Sequence, residues 1–261
     1  MLTQVQRLKR LQLDVSPQSA FHAGQFAHPR LPVVVGKIRN QSGFDTILPC
    51  CLDMLIKLPR GEIRLPSPYA THTAVNDLLE QILAFEQQLL GDDWEDYHLY
   101  LTVDCRSVPA GHTQRNPGWH FDGMQGVRYP KKLPICHQYV VSNSIPTEYA
   151  GAPLDAGGLD ERKDNWFEVL GGMLPEDGLR ELGQPYRIEA MSAYQLHRAS
   201  VAEETAQRMF MRLDFSLKQQ DRLGNTRNPL LAAPWVFVGR TSLGASLPTE
   251  TGFNRSGRYG A

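Results

Sequence analysis

Hydrophobic residues recur at the spacing of an α-helix in one segment of the chain, residues 73–90. Apolar positions three and four residues apart fall on one face of a helix. The members of this stripe are Val75, Leu78, Leu79, Ile82, Leu83, Leu89 and Leu90. Gly91 follows directly and is a common helix-stop residue. The pattern predicts an amphipathic helix that packs against a sheet.

Short β-like runs, separated by turn residues, dominate the rest of the chain. One run covers 31–36, and runs over 55–58 and 62–65 flank a Pro/Gly turn, which is typical of a hairpin. Further runs lie at 97–104, 136–142, 185–189, 193–197 and 208–216, and a short helix is predicted around 165–170. Many short strands predict a mainly β (α+β) fold with flanking helices, built as a sandwich or barrel.

The length of 261 residues suits one domain of this kind, since all-β barrels and sandwiches often use this much chain. We expect a single domain over 1–261. Its N-terminal strands and supporting helix would occupy 1–95, its barrel core 96–217 and a C-terminal wrap 218–261.

Charge and cysteine content exclude some functions. The chain has 27 Lys and Arg against 28 Asp and Glu, whereas nucleic-acid binding needs a basic face that releases counterions. No uncharged apolar run approaches the roughly 18 residues of a membrane span. Four cysteines without a CxxC pair are typical of thiols in a reducing compartment. We therefore expect a cytoplasmic protein that binds neither nucleic acid nor membrane.

A candidate metal site lies in the sequence Pro-Gly-Trp-His-Phe-Asp-Gly at 117–123. In a strand, residues i and i+2 point to the same side, so His120 and Asp122 would meet at one point. His197, at the end of a later β-like run, is the candidate third ligand. Two histidines and one carboxylate on one face of a metal leave three positions open, which suits non-haem Fe(II) chemistry. The alternatives are a hairpin turn at Asp122-Gly123 and a core histidine at 197.

Two arginines follow His197, Arg208 after eleven residues and Arg212 after fifteen. If 208–216 is a strand, both share a face with Asp214. A planar guanidinium beside a metal can clamp a carboxylate with two hydrogen bonds. A dicarboxylate that chelates the metal at one end and meets an arginine at the other would fit. The alternative is an exposed strand face on which the arginines pair with Asp214.

The HxD pair, the distal histidine and the arginine eleven residues beyond it resemble the Fe(II)/2-oxoglutarate-dependent dioxygenase superfamily. The resemblance covers roughly residues 97–217. The fold of that family is a double-stranded β-helix, a cupin-like jelly-roll barrel with helices outside one sheet, so the resemblance implies this fold here.

The resemblance also implies residue roles and a reaction. Fe(II) would be bound by His120, Asp122 and His197, and the distal carboxylate of 2-oxoglutarate by Arg208. Arg212 would lie close to cosubstrate or substrate. The implied reaction consumes O2, hydroxylates an unactivated C–H bond and releases succinate and CO2.

In that family, the strand that matches 136–143 often lines the cosubstrate pocket. Tyr139 and Asn143 fall on one face of this run, so either is expected to donate a hydrogen bond to 2-oxoglutarate. Loops over 105–118 and 144–165 would surround the barrel mouth, where substrate choice usually lies. We expect a small-molecule substrate such as an amino acid, a nucleotide or a natural-product intermediate.

Two other functions stay open: a cupin-type metalloenzyme without an oxoacid cosubstrate, and a non-catalytic jelly roll that binds a ligand or partner. An inward Arg208 favours the oxygenase, because a cupin without cosubstrate has no need of it. His112 and His137 are rival metal ligands to which we assign no chemical role. For Trp119 we expect core packing.

Overall fold

The computed structural model describes residues 3–11, 23–115, 117–122, 136–159, 164, 166–217, 219 and 224–232. The α-helices are α1 (Gln4–Leu11), α2 (Gln41–Phe44), α3 (Thr73–Leu90) and α4 (Trp166–Met173). The strands are β1 (Val33–Lys37), β2 (Cys51–Lys57), β3 (His98–Val108), β4 (Cys136–Ser142), β5 (Thr147–Ala150), β6 (Arg180–Leu182), β7 (Arg187–Ser192), β8 (His197–Ala199) and β9 (Ala206–Ser216). The mainly β prediction is confirmed. Gly123 and most of the predicted wrap over 218–261 lie outside the described residues.

The described strands form two antiparallel sheets. The larger has the order β1-β7-β4-β9-β3-β2 and the smaller the order β6-β5-β8. Strand β9 lies inside the larger sheet and pairs with β3 along its whole length. Its other edge pairs with β4. Across the described residues, none of the helices has the length and apolar composition needed to cross a bilayer.

Helix α3 covers the outer face of the six-stranded sheet. Its stripe is buried, with Val75, Leu78 and Ile82 at 0% exposure, and it packs in one cluster with alternate residues of β9 such as Met211. Each fully buried aliphatic side chain contributes roughly 1.5–3 kcal/mol. The helix ends at Gly91, whose φ of 60° is a left-handed conformation that favours glycine. The helix prediction is confirmed.

The prediction of a second hairpin strand at 62–65 is wrong. Residues 62–65 are not a strand, and the Arg64 amide makes a single hydrogen bond to Ile56 O at 2.7 Å. Residues 224–232 lie beside β2 instead. Asn228, 0% exposed, donates from Nδ2 to backbone oxygens of β2 and of Arg64. This segment covers part of an edge strand that would otherwise present unpaired backbone groups.

Asp77 of α3 ties the helix to the segment after β1. Its Oδ2 accepts from the Arg39 amide at 2.7 Å, and its Oδ1 accepts from Arg39 Nε at 2.6 Å and Gln81 Nε2 at 2.8 Å. Burial opposes ionisation, but the hydrogen bonds and the charge of Arg39 hold the pKa of Asp77 below its ordinary value. The interaction therefore stabilises the fold only while the carboxylate is ionised.

Replacing Asp77 with asparagine is expected to weaken the dependence of stability on acid pH. Because the folded pKa is depressed, the stabilisation is present above the unfolded pKa of about 3.9 and is lost as pH falls through the folded pKa. Between pH 5 and pH 3, the wild type should lose more unfolding free energy than Asp77→Asn, as measured by urea denaturation. Equal losses in both proteins would contradict this.

Candidate metal centre

His120 and His197 face each other on adjacent backbone segments. The His120 amide donates to His197 O at 3.0 Å, and the His197 amide donates to His120 O at 2.8 Å. Residues 120 and 197 therefore form a hydrogen-bonded pair of an antiparallel ladder. The side chains of two residues paired in this way point to the same face. The two imidazole centroids are 4.4 Å apart. On its other side His197, the first residue of β8, pairs with Tyr149 of β5.

Backbone carbonyls fix the orientation of both imidazoles. Nδ1 of His120 is 2.9 Å from Gly118 O, and Nδ1 of His197 is 2.9 Å from Gln195 O. A carbonyl oxygen only accepts, so in the neutral form of either ring Nδ1 carries the hydrogen and Nε2 keeps a lone pair. Burial and the neighbouring His197 lower the pKa of His120 to about 4. His120 is therefore neutral near pH 7, which is the form that binds metals.

Asp122 completes a set of three possible ligands. One ligand atom each from His120, Asp122 and His197 lie within 4.8 Å of one another, and Asp122 Oδ2 is 3.6 Å from His197 Nε2. Burial opposes ionisation, but Arg212 and His197 hold the pKa of Asp122 well below its ordinary value. Two imidazoles and an ionised carboxylate are the donor set of a 2-His-1-carboxylate site, so these residues fit Fe(II).

Arg212 lies beside the ligand set. Its Nη1 donates to Asp122 Oδ2, and its Nη2 donates to Asp53 Oδ1 at 2.6 Å. Its Nε forms an ion pair with Asp214 Oδ2 at 2.9 Å. The predicted pairing with Asp214 is thus present on a face that is buried, not exposed, since Arg212 is 7% exposed.

Arg208 is on the same face of β9, two alternating positions before Arg212. It is 2% exposed, and its Nε donates to Ser144 O at 3.1 Å and Ile145 O at 2.8 Å. Its Nη1 donates to Gln114 Oε1. Among the described residues, no carboxylate forms an ion pair with it. Burial and the charge of Arg115 accordingly lower the pKa of Arg208 to about 9.

Tyr139 and Asn143, predicted to donate to 2-oxoglutarate, lie on the opposite face of the sheet. The Tyr139 hydroxyl donates to Glu86 of α3. Nδ2 of Asn143 donates to Asp45 Oδ1 at 3.0 Å. In the β4–β9 register, Tyr139 is the partner of Leu213, an outward-facing core residue. Neither side chain is directed toward His120, Asp122 and His197.

Three side chains that were not selected from the sequence lie on the interior face. Gln138 of β4 is the partner of Asp214, is 2% exposed, and has no hydrogen-bond partner for Oε1 within the described part of the chain. Tyr149 donates to Glu189 Oε2 at 2.7 Å. Asp53 binds Arg212. Asp53 could have been selected from the sequence, because an aspartate inside an apolar run such as β2 is rarely buried unless it is paired.

The remaining sequence candidates lie away from the ligand set. His112 is exposed in a turn, and His137 Nε2 is 2.6 Å from Glu86 Oε1 on the outer face. Trp119 is half-buried, and the guanidinium carbons of Arg198 and Arg180 lie 4.5 and 5.6 Å from its ring centroid. The strand β3 continues to Val108, so the first predicted loop is shorter than 105–118.

No protein-family model and no curated protein matches this chain. Solved structures do match, at low identity. The ThoJ–nickel complex, a non-heme monooxygenase, is 15% identical over 64% of this chain with a TM-score of 0.33, and the match spans 64% of that protein's length, just under two thirds. EctD from S. alaskensis in its apoform is 14% identical, covering 87% of this chain and 90% of that one, with a TM-score of 0.40. HygX from Streptomyces hygroscopicus, with iron bound, is 10% identical, covering 71% and 82%, with a TM-score of 0.32.

Proposed function

We propose that the protein is an Fe(II)- and 2-oxoglutarate-dependent oxygenase that hydroxylates a small molecule. The observation that carries this proposal is a pair of features on one interior surface. Three potential metal ligands converge at His120, Asp122 and His197. On the strand beside them, Arg208 is buried and forms no ion pair with a described carboxylate.

The metal would be held by Nε2 of His120, Nε2 of His197 and a carboxylate oxygen of Asp122. When bound, Fe(II) supplies oxidation by O2 coupled to decarboxylation of a 2-oxoacid. The protein's part is to fix the ligands through the Gly118 and Gln195 carbonyls and to keep water out. Water exclusion is supported by the apolar cluster between the two sheets, which consists of Val140, Tyr149, Met191 and Phe210.

Arg208 would bind the distal carboxylate of 2-oxoglutarate. A buried guanidinium without a counter-ion is unfavourable unless a ligand supplies the charge. Arg208 and Arg212 are four residues apart on β9, so their Cα atoms are separated by about 13 Å along the strand. Arg212 contacts the metal ligand Asp122. A short diacid that binds the metal beside Asp122 could therefore extend along the strand to Arg208.

The architecture supports a jelly-roll interpretation of the fold. A six-stranded and a three-stranded antiparallel sheet share the interior cluster, as the two halves of a double-stranded β-helix do. The near-neutral charge fits a small-molecule substrate and no nucleic acid. The cysteines Cys50, Cys51, Cys105 and Cys136 are free thiols, in keeping with a cytoplasmic enzyme.

The direct test is anaerobic addition of Fe(II) and then 2-oxoglutarate to metal-free protein. The proposal predicts a weak visible charge-transfer band that needs both additions. Glutarate, which lacks the keto oxygen, is the matched control and should give no band. Stoichiometric Fe(II) binding without a band would indicate a metalloenzyme that uses no oxoacid. Absence of Fe(II) binding would indicate a non-catalytic jelly roll.

Replacing Arg208 with methionine is expected to weaken 2-oxoglutarate binding by about 10- to 100-fold. Charge-assisted hydrogen bonds of this kind contribute roughly 1.5–3 kcal/mol. The measurement is a titration of the charge-transfer band at saturating Fe(II). Metal affinity should not change, because Arg208 contacts none of the three ligands.

Arg198→Met is the matched control for that substitution. Arg198 is adjacent to His197 in sequence but points to the other face, where its Nε binds Glu148 Oε2 at 2.6 Å. Its replacement should leave 2-oxoglutarate affinity unchanged. Equal affinities of the wild type and Arg208→Met would refute the role proposed for Arg208.

A further inference from the structure

We propose that Arg212 is a positioning residue that holds the metal ligand Asp122 in place and does not bind cosubstrate or substrate. The inference rests on the metal site proposed above. It differs from the role that the family resemblance implies for Arg212.

Each nitrogen of the guanidinium meets a different carboxylate. Nη1 binds Asp122, Nη2 lies 2.6 Å from Asp53 Oδ1, and Nε lies 2.9 Å from Asp214 Oδ2. Arg208, in contrast, donates to carbonyl and amide oxygens and forms no ion pair with a described carboxylate. The different contacts of the two arginines of β9 therefore indicate different roles. Arg208 is the one that an incoming carboxylate would satisfy.

The two anchors of Arg212 are themselves fixed. Thr102 Oγ1 donates to Asp53 Oδ1 at 2.9 Å and accepts from the Asp53 amide at 3.0 Å. Asp53 has a φ of 41° and sits where the register of β2 against β3 shifts between Cys51 and Met54. Such an irregularity in a strand re-aims a side chain. Asp214, the other anchor, belongs to the same strand as Arg212.

Asp122, in contrast, has little local support from the residues that the structure describes. It lies in a bend, and the nearest ladder contact is the single bridge at His120. The terminal torsion of an aspartate is broad, so the backbone alone does not set the direction of its oxygens. Arg212 holds Oδ2 of this carboxylate. Within the described residues, no hydrogen bond engages Oδ1, so Arg212 does not occupy both oxygens of the carboxylate.

The positioning role and a purely electrostatic role predict opposite signs. A guanidinium charge beside a divalent cation is repulsive, so charge alone would make removal of Arg212 strengthen metal binding. Loss of a group that orients a ligand typically lowers metal affinity 10- to 100-fold. A role only in folding would change stability and leave the affinity of the folded protein unaltered.

The experiment titrates metal-free full-length protein with Co(II), following its visible spectrum, for the wild type, Arg212→Met, Arg212→Lys and Asp53→Asn. We expect Co(II) affinity to fall 10- to 100-fold in Arg212→Met and less in Arg212→Lys, which keeps one donor. Asp53→Asn should show a smaller fall in Co(II) affinity and an altered spectrum. It weakens the contact that holds Arg212 but leaves the contact between Arg212 and Asp122. Asparagine tolerates the positive φ at this position, so this variant tests the idea even if Arg212→Met fails to fold.

A second titration separates the two arginines. At saturating Co(II), 2-oxoglutarate affinity should stay within about twofold of wild type in Arg212→Lys and Asp53→Asn. Unchanged or increased Co(II) affinity in every folded variant would overturn the inference. So would a loss confined to 2-oxoglutarate binding. If the wild type itself bound no Co(II), the proposed function would fail first, which is a distinguishable result.

Discussion

Replacing His197 with alanine is expected to abolish stoichiometric binding of Fe(II) or Co(II). His197 supplies the Nε2 that lies 3.6 Å from Asp122 Oδ2, and the other two candidate ligands cannot close a facial triad without it. The loss of affinity should exceed the roughly 100-fold that follows removal of an outer-shell partner. The measurement is metal content per chain after equilibrium dialysis, together with a Co(II) titration.

His112→Ala is the control for that experiment. His112 is exposed, and its Nδ1 is 3.0 Å from Ala110 O, in a turn away from the three ligands. The His112→Ala variant should bind metal like the wild type. The backbone pair between residues 120 and 197 does not need an imidazole, so His197→Ala should keep the wild-type circular dichroism spectrum. Wild-type metal stoichiometry in a folded His197→Ala protein would remove the basis of the proposed site.

Two simple spacing rules predicted the proximity of two candidate ligands and the shared face of two arginines. The i, i+2 spacing brings His120 and Asp122 to one side, and alternation along β9 puts Arg208 and Arg212 on one face. Both pairs are together in the structure, although Asp122 lies in a bend and not in a strand. The position of His197 beside His120 and Asp122 could not be predicted from spacing alone. It depends on the pairing of β8 with the segment at His120, which is a long-range contact.

The face occupied by Tyr139 and Asn143 could not be predicted from the sequence. The two residues do share a face, as their spacing requires. All seven residues of β4 are buried, however, because the strand lies inside a sheet that is covered on both sides. A strand without polar alternation carries no signal that tells its inner face from its outer face. The outer face of β4 meets α3, and its inner face carries Gln138.

Helix α3 contains a charged residue that the apolar stripe did not reveal. Glu86 is 0% exposed and faces β4, where Oε1 accepts from the Tyr139 hydroxyl and lies 2.6 Å from His137 Nε2. The imidazole of His137 is stacked on Phe215, with ring centroids 5.2 Å apart. This network joins α3 to the strands that carry the interior face. Its members lie on the opposite side of the sheet from the three candidate metal ligands.

Replacing Glu86 with alanine is expected to destabilise the protein by about 3–5 kcal/mol, because it leaves the buried donors of His137 and Tyr139 without a partner. The measurement is the free energy of unfolding in urea. Glu80→Ala, on the same helix, is the matched control. Its Oε2 is 2.7 Å from Arg39 Nη2, but its side chain is 69% exposed, and such surface pairs contribute about 1 kcal/mol at most.

A triple variant separates unpaired polar groups from lost packing. Combining Glu86→Leu with His137→Phe and Tyr139→Phe removes every polar member of the network and fills the same volume. A buried polar network replaced by apolar groups of similar size is often close to neutral. The triple variant should therefore recover most of the stability that Glu86→Ala loses. If it is as unstable as Glu86→Ala, the network stabilises the fold through its hydrogen bonds themselves, and burial of unpaired donors is not the cause.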